Sequence, residues 1–233
     1  MPQKEKQDSN HSRRGWILPA EFYNKVLYPL QNRAIVAFKD SPFYLTGGTT
    51  LSRGYYNHRY SDDLDFFVNY LSDFEMHADS RAEKLRTIFD DVEIDYRGEN
   101  FYRIFVADRQ LKIEMVNDVP SHIGTKVPHP VLGLIDSKEN ILANKVTAIV
   151  DRNMPKDMAD IFFLLKDGLS LKQALLDADS KAAGIAPLYI AKILAEYDYS
   201  LLGTEIKWIT PVPSDEIKQF LSDIALRIVK GTL

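Results

Sequence analysis

A chain of 233 residues, 45% hydrophobic and 27% charged, has ordinary soluble globular composition and room for one large domain or two small ones. A net charge of −4 excludes a broadly basic nucleic-acid coat, though a local basic patch stays possible. The absence of cysteine excludes disulfides and zinc–thiolate sites and suits a reducing cytoplasm, while the longest apolar runs fall far short of the roughly 20 residues of a membrane span.

The first residues, MPQKEKQDSNHSRR, are polar and lack the apolar stretch of a signal peptide, so residues 1–15 are expected to form a mobile tail. A helix is expected within Trp16–Phe38, starting near Leu18-Pro19-Ala20-Glu21. Phe22, Val26 and Leu30 fall at helical spacing and point to packing against a sheet, and Pro29 inside that pattern predicts a kink or a break.

Phe43-Tyr44-Leu45 reads as a short buried strand that feeds Gly47-Gly48, with Thr46, Thr49 and Thr50 around the pair. Without side chains there, the backbone can turn tightly and phosphate can approach its N–H groups. Thr49 to Gly54 reads as one or two helical turns, which would set those N–H groups at a helix N-terminus that favours anions. The chain returns through Arg59-Tyr60-Ser61 into the strand Asp62-Asp63-Leu64-Asp65-Phe66-Phe67-Val68. Alternation sends Asp63 and Asp65 to one face and Leu64, Phe66 and Val68 to the other. Carboxylates on adjacent same-face positions stand about 7 Å apart at Cα. They can therefore share hard cations such as Mg²⁺, which sit about 3.5–4 Å apart in two-metal sites. Asp62 faces away and reads as a turn residue.

A helix over Ser80–Asp90 and three strands, Val92–Arg97, Phe101–Ala107 and Leu111–Val116, complete a mixed sheet of about five strands flanked by helices, an α+β arrangement. In the last strand Lys112 and Glu114 share a face opposite Leu111, Ile113 and Met115. Val119–Gly133, with three prolines and two glycines, is expected to be a connection, with His122 and His129 as loop or surface histidines. It divides an α/β core, residues 16–133, from a helical domain, residues 134–233. The latter opens with a helix capped by Asp136 or Ser137 and running to about Asp151. Lys145 lies within its apolar face, an expensive place for an ammonium unless an anion meets it, and a triphosphate oxygen would serve. Another helix starts near Pro155, and Ser170–Ala178, Ala186–Tyr197 and Ser214–Lys230 read as three more amphipathic helices.

Gly47, Gly48, Thr49, Leu51, Arg59, Ser61, Asp63, Leu64, Asp65 and Phe66 together resemble the AbiEii/MenT family. Its members are toxin subunits of bacterial abortive-infection and toxin–antitoxin operons, within the nucleotidyltransferase superfamily related to DNA polymerase β. Lys145, Arg152, Lys156, Asp157 and Asp160 match the family's second signature, with Ile161 in place of the usual Leu. The resemblance implies a third carboxylate at Glu114, as metal ligand or as base. The other reading of Glu114 is a solvent-facing row with Lys112. It also implies that Lys145 and one of Asp157 and Asp160 hold the nucleotide phosphates or order the site, with Asp157 and Asp160 unranked. The structural alternative is a Lys156–Asp160 pair one helical turn apart with Asp157 at the helix N-terminus.

The chemistry expected is transfer of a nucleoside monophosphate from an NTP to an acceptor hydroxyl, with Mg²⁺ (or Mn²⁺) held by Asp63, Asp65 and Glu114. Gly47, Gly48, Thr49, Arg59, Ser61, Lys145 and Arg152 would contact the nucleotide. The resemblance further implies an RNA acceptor such as the tRNA 3′ end and a cognate antitoxin protein. A nucleotidyltransferase acting on a protein or small molecule and a catalytically silent nucleotide-binding partner remain alternatives. The order Lys112-Ile113-Glu114 counts against a nuclease, in which Glu-x-Lys is the frequent pattern.

Overall fold

The computed structural model describes residues 19–182 and 184–233, so the expected tail over residues 1–15 and the segment Trp16–Leu18 lie outside the described residues. The chain opens with α1 (Pro19–Phe22), a π-helical turn (Tyr23–Leu27) and α2 (Tyr28–Ile35). Pro29 neither breaks nor ends this run. It has no N–H to offer the preceding turn, and the ladder accommodates it by widening, Tyr28 N–H donating to the Tyr23 carbonyl five residues back. The extra residue in that turn shifts the buried stripe to Tyr23, Leu27, Ala34 and Ile35, leaving Phe22, Val26 and Leu30 half-buried.

Seven strands form one mixed sheet: β1 (Tyr44–Thr46), β2 (Leu64–Asn69), β3 (Val92–Arg97), β4 (Phe101–Val106), β5 (Leu111–Asp118), β6 (Val127–His129) and β7 (Gly133–Ile135), ordered β3-β4-β5-β2-β1-β7-β6. Of the two strands beyond the expected five, β6 lies in the segment read as a connection, and β7 begins at its last residue, Gly133, and continues into the start of the expected helical half. Pro128 is compatible with β6 because β6 is an edge strand, where a missing N–H removes no inner ladder bond. His129 Nδ1 accepts the N–H groups of Val131 and Leu132 and closes the hairpin, with Gly133 at φ +77°. Leu45 pairs with Ile135, which docks β7 parallel to β1.

One face of the sheet is sealed by α1–α2 and by α4 (Phe74–Arg86), which starts six residues before the expected Ser80. Phe74, fully buried against Phe43 and Tyr102, recruits that extra turn and a half. Phe38 stacks on Phe66 at 3.6 Å between ring centroids in the same core. A second apolar cluster joins Leu51 to α5 (Lys138–Asp151), α6 (Pro155–Lys166), α7 (Leu171–Lys181), α8 (Pro187–Glu196), α9 (Leu201–Glu205) and α10 (Ser214–Val229). Ser137 caps α5, accepting from Asn140 N–H. Asp136 is instead a fully buried acceptor for Thr46 Oγ1 at 2.5 Å, Asn140 Nδ2 at 2.9 Å and the Ser137 N–H at 2.8 Å. His122 lies in a loop, one of the two places expected for it, but mostly buried, with Nε2 2.9 Å from Asp136. Among the described residues no helix is long and apolar enough to cross a membrane.

Candidate active site

The sheet face turned away from α4 carries the charged side chains. Along β2 Leu64, Phe66 and Val68 enter the core, and along β5 Leu111, Ile113 and Met115 do the same. Asp65, Phe67, Lys112, Glu114 and Val116 are therefore left on the opposite face. The strands run parallel with Asp65 opposite Glu114, so the two carboxyl-bearing positions sit one strand spacing apart, about 4.8 Å. Asp63, just before β2, completes an acidic row. α5 forms the facing wall through Ile141, Asn144, Lys145, Thr147, Ala148 and Asp151. The cleft between has a volume of about 420 Å³, within the range of about 300–1,000 Å³ typical of small-molecule sites.

Burial first, and then the charges of Asp63 and Glu114, push the Asp65 carboxyl up to about 6. Lys112 Nζ stands 3.2 Å from both Asp63 Oδ2 and Glu114 Oε2, and Arg103 Nε donates to Glu114 Oε1 at 2.8 Å. Burial opposes the Lys112 charge, but Asp63 and Glu114 hold its pKa above the usual lysine value. Both Glu114 oxygens are thus engaged by cations, and among the described residues no three carboxylates form a ready-made metal cage. Asp63 and Asp65 nonetheless fit a divalent cation, because their mutual repulsion in a half-buried cleft is what a bound cation relieves.

Gly47 sits at φ +68°, and a Cβ there would lie 2.7 Å from Asp65 Oδ2. A Cβ on Gly48 would lie 2.5 Å from Arg59 Nη2 and 3.1 Å from Ser61 Oγ. The pair is therefore dictated by packing as well as by access: Asp65 and Arg59 occupy the volume any side chain would need. A helical run follows, α3 (Gly47–Thr49) continued by a π-helical stretch (Thr50–Tyr56), and no side chain caps its first turn. Thr49 is fully buried and does not line the cleft. Its hydroxyl donates to the Asp63 carbonyl at 2.5 Å and lies 2.9 Å from the Ser61 hydroxyl, tying the turn to the acidic strand.

The anions that meet Lys145 are protein carboxylates, Asp157 Oδ1 and Asp160 Oδ2, each at 2.7 Å. Arg59 grips Asp160 through Nε at 2.8 Å and Nη2 at 2.7 Å, and Arg152 donates to Asp157 at 2.9 and 3.0 Å. Burial holds the His58 pKa below its usual value, so a neutral ring donates Nε2–H to Asp160 at 2.9 Å. Although burial works in the opposite direction, Arg59 and Lys145 hold the Asp160 carboxyl well below the usual range. Lys145 and Arg152 likewise lower Asp157 against its burial. Asp157 and Asp160 do not line the cleft. They fix Lys145, Arg59 and Arg152, which do, and three cations against two carboxylates leave positive charge facing the acids. Lys156 makes no pair with Asp160 among the described residues and lines the cleft instead.

The structure thus brings Asp63, Asp65, Glu114, Lys145, Gly47, Gly48, Arg59, Ser61 and Arg152 to one cleft and sets Thr49, Asp157 and Asp160 just behind it. Sequence reasoning passed over Lys112 and Lys156 as site residues. The strand alternation that put Lys112 beside Glu114 was the available signal for the first, and its place in the second signature for the other. Asp62, read as a turn residue, reaches the cleft rim while paired with Tyr23 and with Lys207 at 3.2 Å.

A family model described as the nucleotidyl transferase AbiEii toxin of a type IV toxin–antitoxin system matches residues 30–227. JHP933 from Helicobacter pylori has a similar structure, with a TM-score of 0.61 at 21% identity over 88% of this chain and 91% of that one. MenT4, a nucleotidyltransferase toxin from Mycobacterium tuberculosis, gives a TM-score of 0.57 at 15% identity over 87% of this chain and 82% of that one. At these identities the likeness extends to the fold. No curated protein sequence matches significantly.

Proposed function

The chain belongs to the AbiEii family of nucleotidyltransferase toxins, and from that premise we propose that it moves a nucleoside monophosphate from an NTP to the 3′ hydroxyl of an RNA, with a tRNA end as acceptor. The observation that carries this reading is the placement of Asp63, Asp65 and Glu114 in one cleft with an uncapped glycine turn and the cationic wall of Lys145, Arg152 and Lys156. Asp63 and Asp65 would hold Mg²⁺ or Mn²⁺, with Glu114 as the third carboxylate. A cation held by these residues would supply neutralisation of the triphosphate charge and of the charge at the α-phosphorus. The N–H groups at Gly47 and Gly48 cradle phosphate. Ser61 borders that turn, and Arg59 supports it from below through Asp160. Lys145, Arg152 and Lys156 offset the charge that builds on the leaving group.

In the transfer the acceptor oxygen bonds to the α-phosphorus as the bond to the β-phosphate bridge breaks. Pyrophosphate leaves, and the hydroxyl proton is released to solvent, since Lys112 and Arg103 already engage both Glu114 oxygens. The family description implies an antitoxin partner, and we place the activity in the cytoplasm, where NTPs and RNA meet. The test supplies Mg²⁺ or Mn²⁺, each α-labelled NTP in turn, and total RNA or total protein. Label in RNA that is lost in Asp63→Asn supports the proposal. Label in protein moves the acceptor to the alternative class, and Asp63→Asn labelling as well as the parent refutes the assigned centre.

A further inference from the structure

The acidic row is not the end of the open sheet face. Register places Phe67 opposite Val116 and Val116 opposite Phe101, while Asp65 lies opposite Glu114 and Glu114 opposite Arg103. Two transverse rows therefore run side by side across β2, β5 and β4, one charged and one apolar, separated by about 7 Å. Phe67 and Val116 already line the cleft. Phe67, Phe101 and Phe105 belong to neither buried core. At the outer end the ladder slips between Ile94 and Tyr96, which brings Tyr96 opposite Arg103. Tyr96 is 53% exposed, and its ring centroid lies 5.6 Å from that of Phe101. Arginine accompanies the aromatics: Arg103 lies 5.3 Å from the centroid of Phe101, and Arg109 lies 3.7 Å from that of Phe105.

We propose that this row, Phe67–Val116–Phe101, together with the Tyr96 ring that reaches Phe101 diagonally from the next row, is the binding surface for a single-stranded RNA end whose terminal hydroxyl enters the cleft. The inference rests on the nucleotidyl-transfer reading and adds where the acceptor lies. A sheet face bearing aromatic side chains with arginine beside them takes unpaired bases by stacking, whatever their identity. Three strand spacings make the row about 15 Å wide, room for two or three nucleotides. Its inner end borders Asp65 and its outer end opens at the edge strand β3, so a strand can enter without threading under α5. The charges favour stacking over phosphate attraction. Arg103 is paired with Glu114 and Asp95, and Arg109 with Glu93 and Asp95, so few cations are left for the backbone. Affinity should therefore fall only shallowly with salt.

The experiment titrates a fluorescein-labelled single-stranded RNA of ten nucleotides with a free 3′ hydroxyl into the full chain, then into Tyr96→Ala and Phe101→Leu. Mn²⁺-dependent binding of a fluorescent NTP is measured in parallel, with thermal melts to verify folding. The expected result is about tenfold weaker RNA affinity in each variant and a higher acceptor KM, with NTP binding unchanged. Tyr96→Ala is the decisive variant, because its ring is exposed and its loss leaves no cavity. Unchanged RNA affinity in a folded Tyr96→Ala overturns the surface while leaving nucleotidyl transfer intact. A dimer by sedimentation that Tyr96→Ala dissolves, with RNA affinity unmoved, assigns the row to a second copy and also overturns it. Loss of NTP binding in the parent chain would instead strike at the underlying reading.

Discussion

Asp160→Asn tests whether the cationic wall is built as a buried strut. The carboxylate is fully buried and receives Arg59 at 2.8 and 2.7 Å, Lys145 at 2.7 Å and His58 at 2.9 Å. Asparagine keeps the volume, removes the charge, and turns one acceptor oxygen into a donor that faces other donors. Lys145 keeps Asp157, but Arg59 loses its bidentate partner while remaining buried. Breaking a buried pair from one side costs about 3–5 kcal/mol. For a chain of this size each kcal/mol lowers Tm by about 2–4 °C, so a fall of about 6–20 °C is expected. Urea and thermal melts without nucleotide measure it, and a double-mutant cycle with Arg59→Met isolates the coupling. The sign with pH follows from the lowered Asp160 pKa. Its stabilisation is complete above the ordinary carboxylate range and is lost as pH falls towards the depressed value, so the gap between parent and variant closes on acidification. A folded Asp160→Asn within about 1 kcal/mol of the parent at pH 7 would refute the strut.

Gly47→Ala should cost about 1–2 kcal/mol through its left-handed backbone alone. Because the new Cβ lies 2.7 Å from Asp65 Oδ2, activity should fall about a hundredfold, far beyond the stability loss, and equal kcat in the variant would show that Asp65 has room to move. Metal affinity should depend on pH with the sign set by Asp65, whose pKa is raised to about 6. Below that value a proton must be displaced, so calorimetric Mn²⁺ affinity should be about tenfold weaker at pH 5 than at pH 7, and a flat profile would contradict the assignment. The same shift makes the metal-free fold gain stability from this group as pH falls from about 6 towards 4, opposite in sign to Asp160. Lys156→Ala should raise the NTP Kd about fivefold to tenfold without moving Tm, as expected of a cleft cation bound to no carboxylate among the described residues. An unchanged Kd would remove Lys156 from the triphosphate site.

Local rules were sufficient wherever a residue's role depends on its neighbours along the chain. Alternation in Asp63-Leu64-Asp65-Phe66 and in Lys112-Ile113-Glu114 fixed which side chains share a face, because strand period is a backbone property. The glycine pair, the helix begun by Ser137 and the α+β class were legible for the same reason. Other features needed the third dimension. β6 forms in a segment full of breakers because an edge strand tolerates Pro128, and edge position is set by the whole sheet. Pro29 is absorbed by a widened turn and not by a break, since the core behind α2 holds Tyr23 and Leu27 in place. The partners of Lys145 could not be read from spacing. An ammonium on an apolar stripe needs an anion, but only packing decided that Asp157 and Asp160 supply it. Cross-strand register likewise determined that Glu114 stands beside Asp65 and Phe101 beside Val116, because ladder pairing joins residues that sequence distance keeps apart.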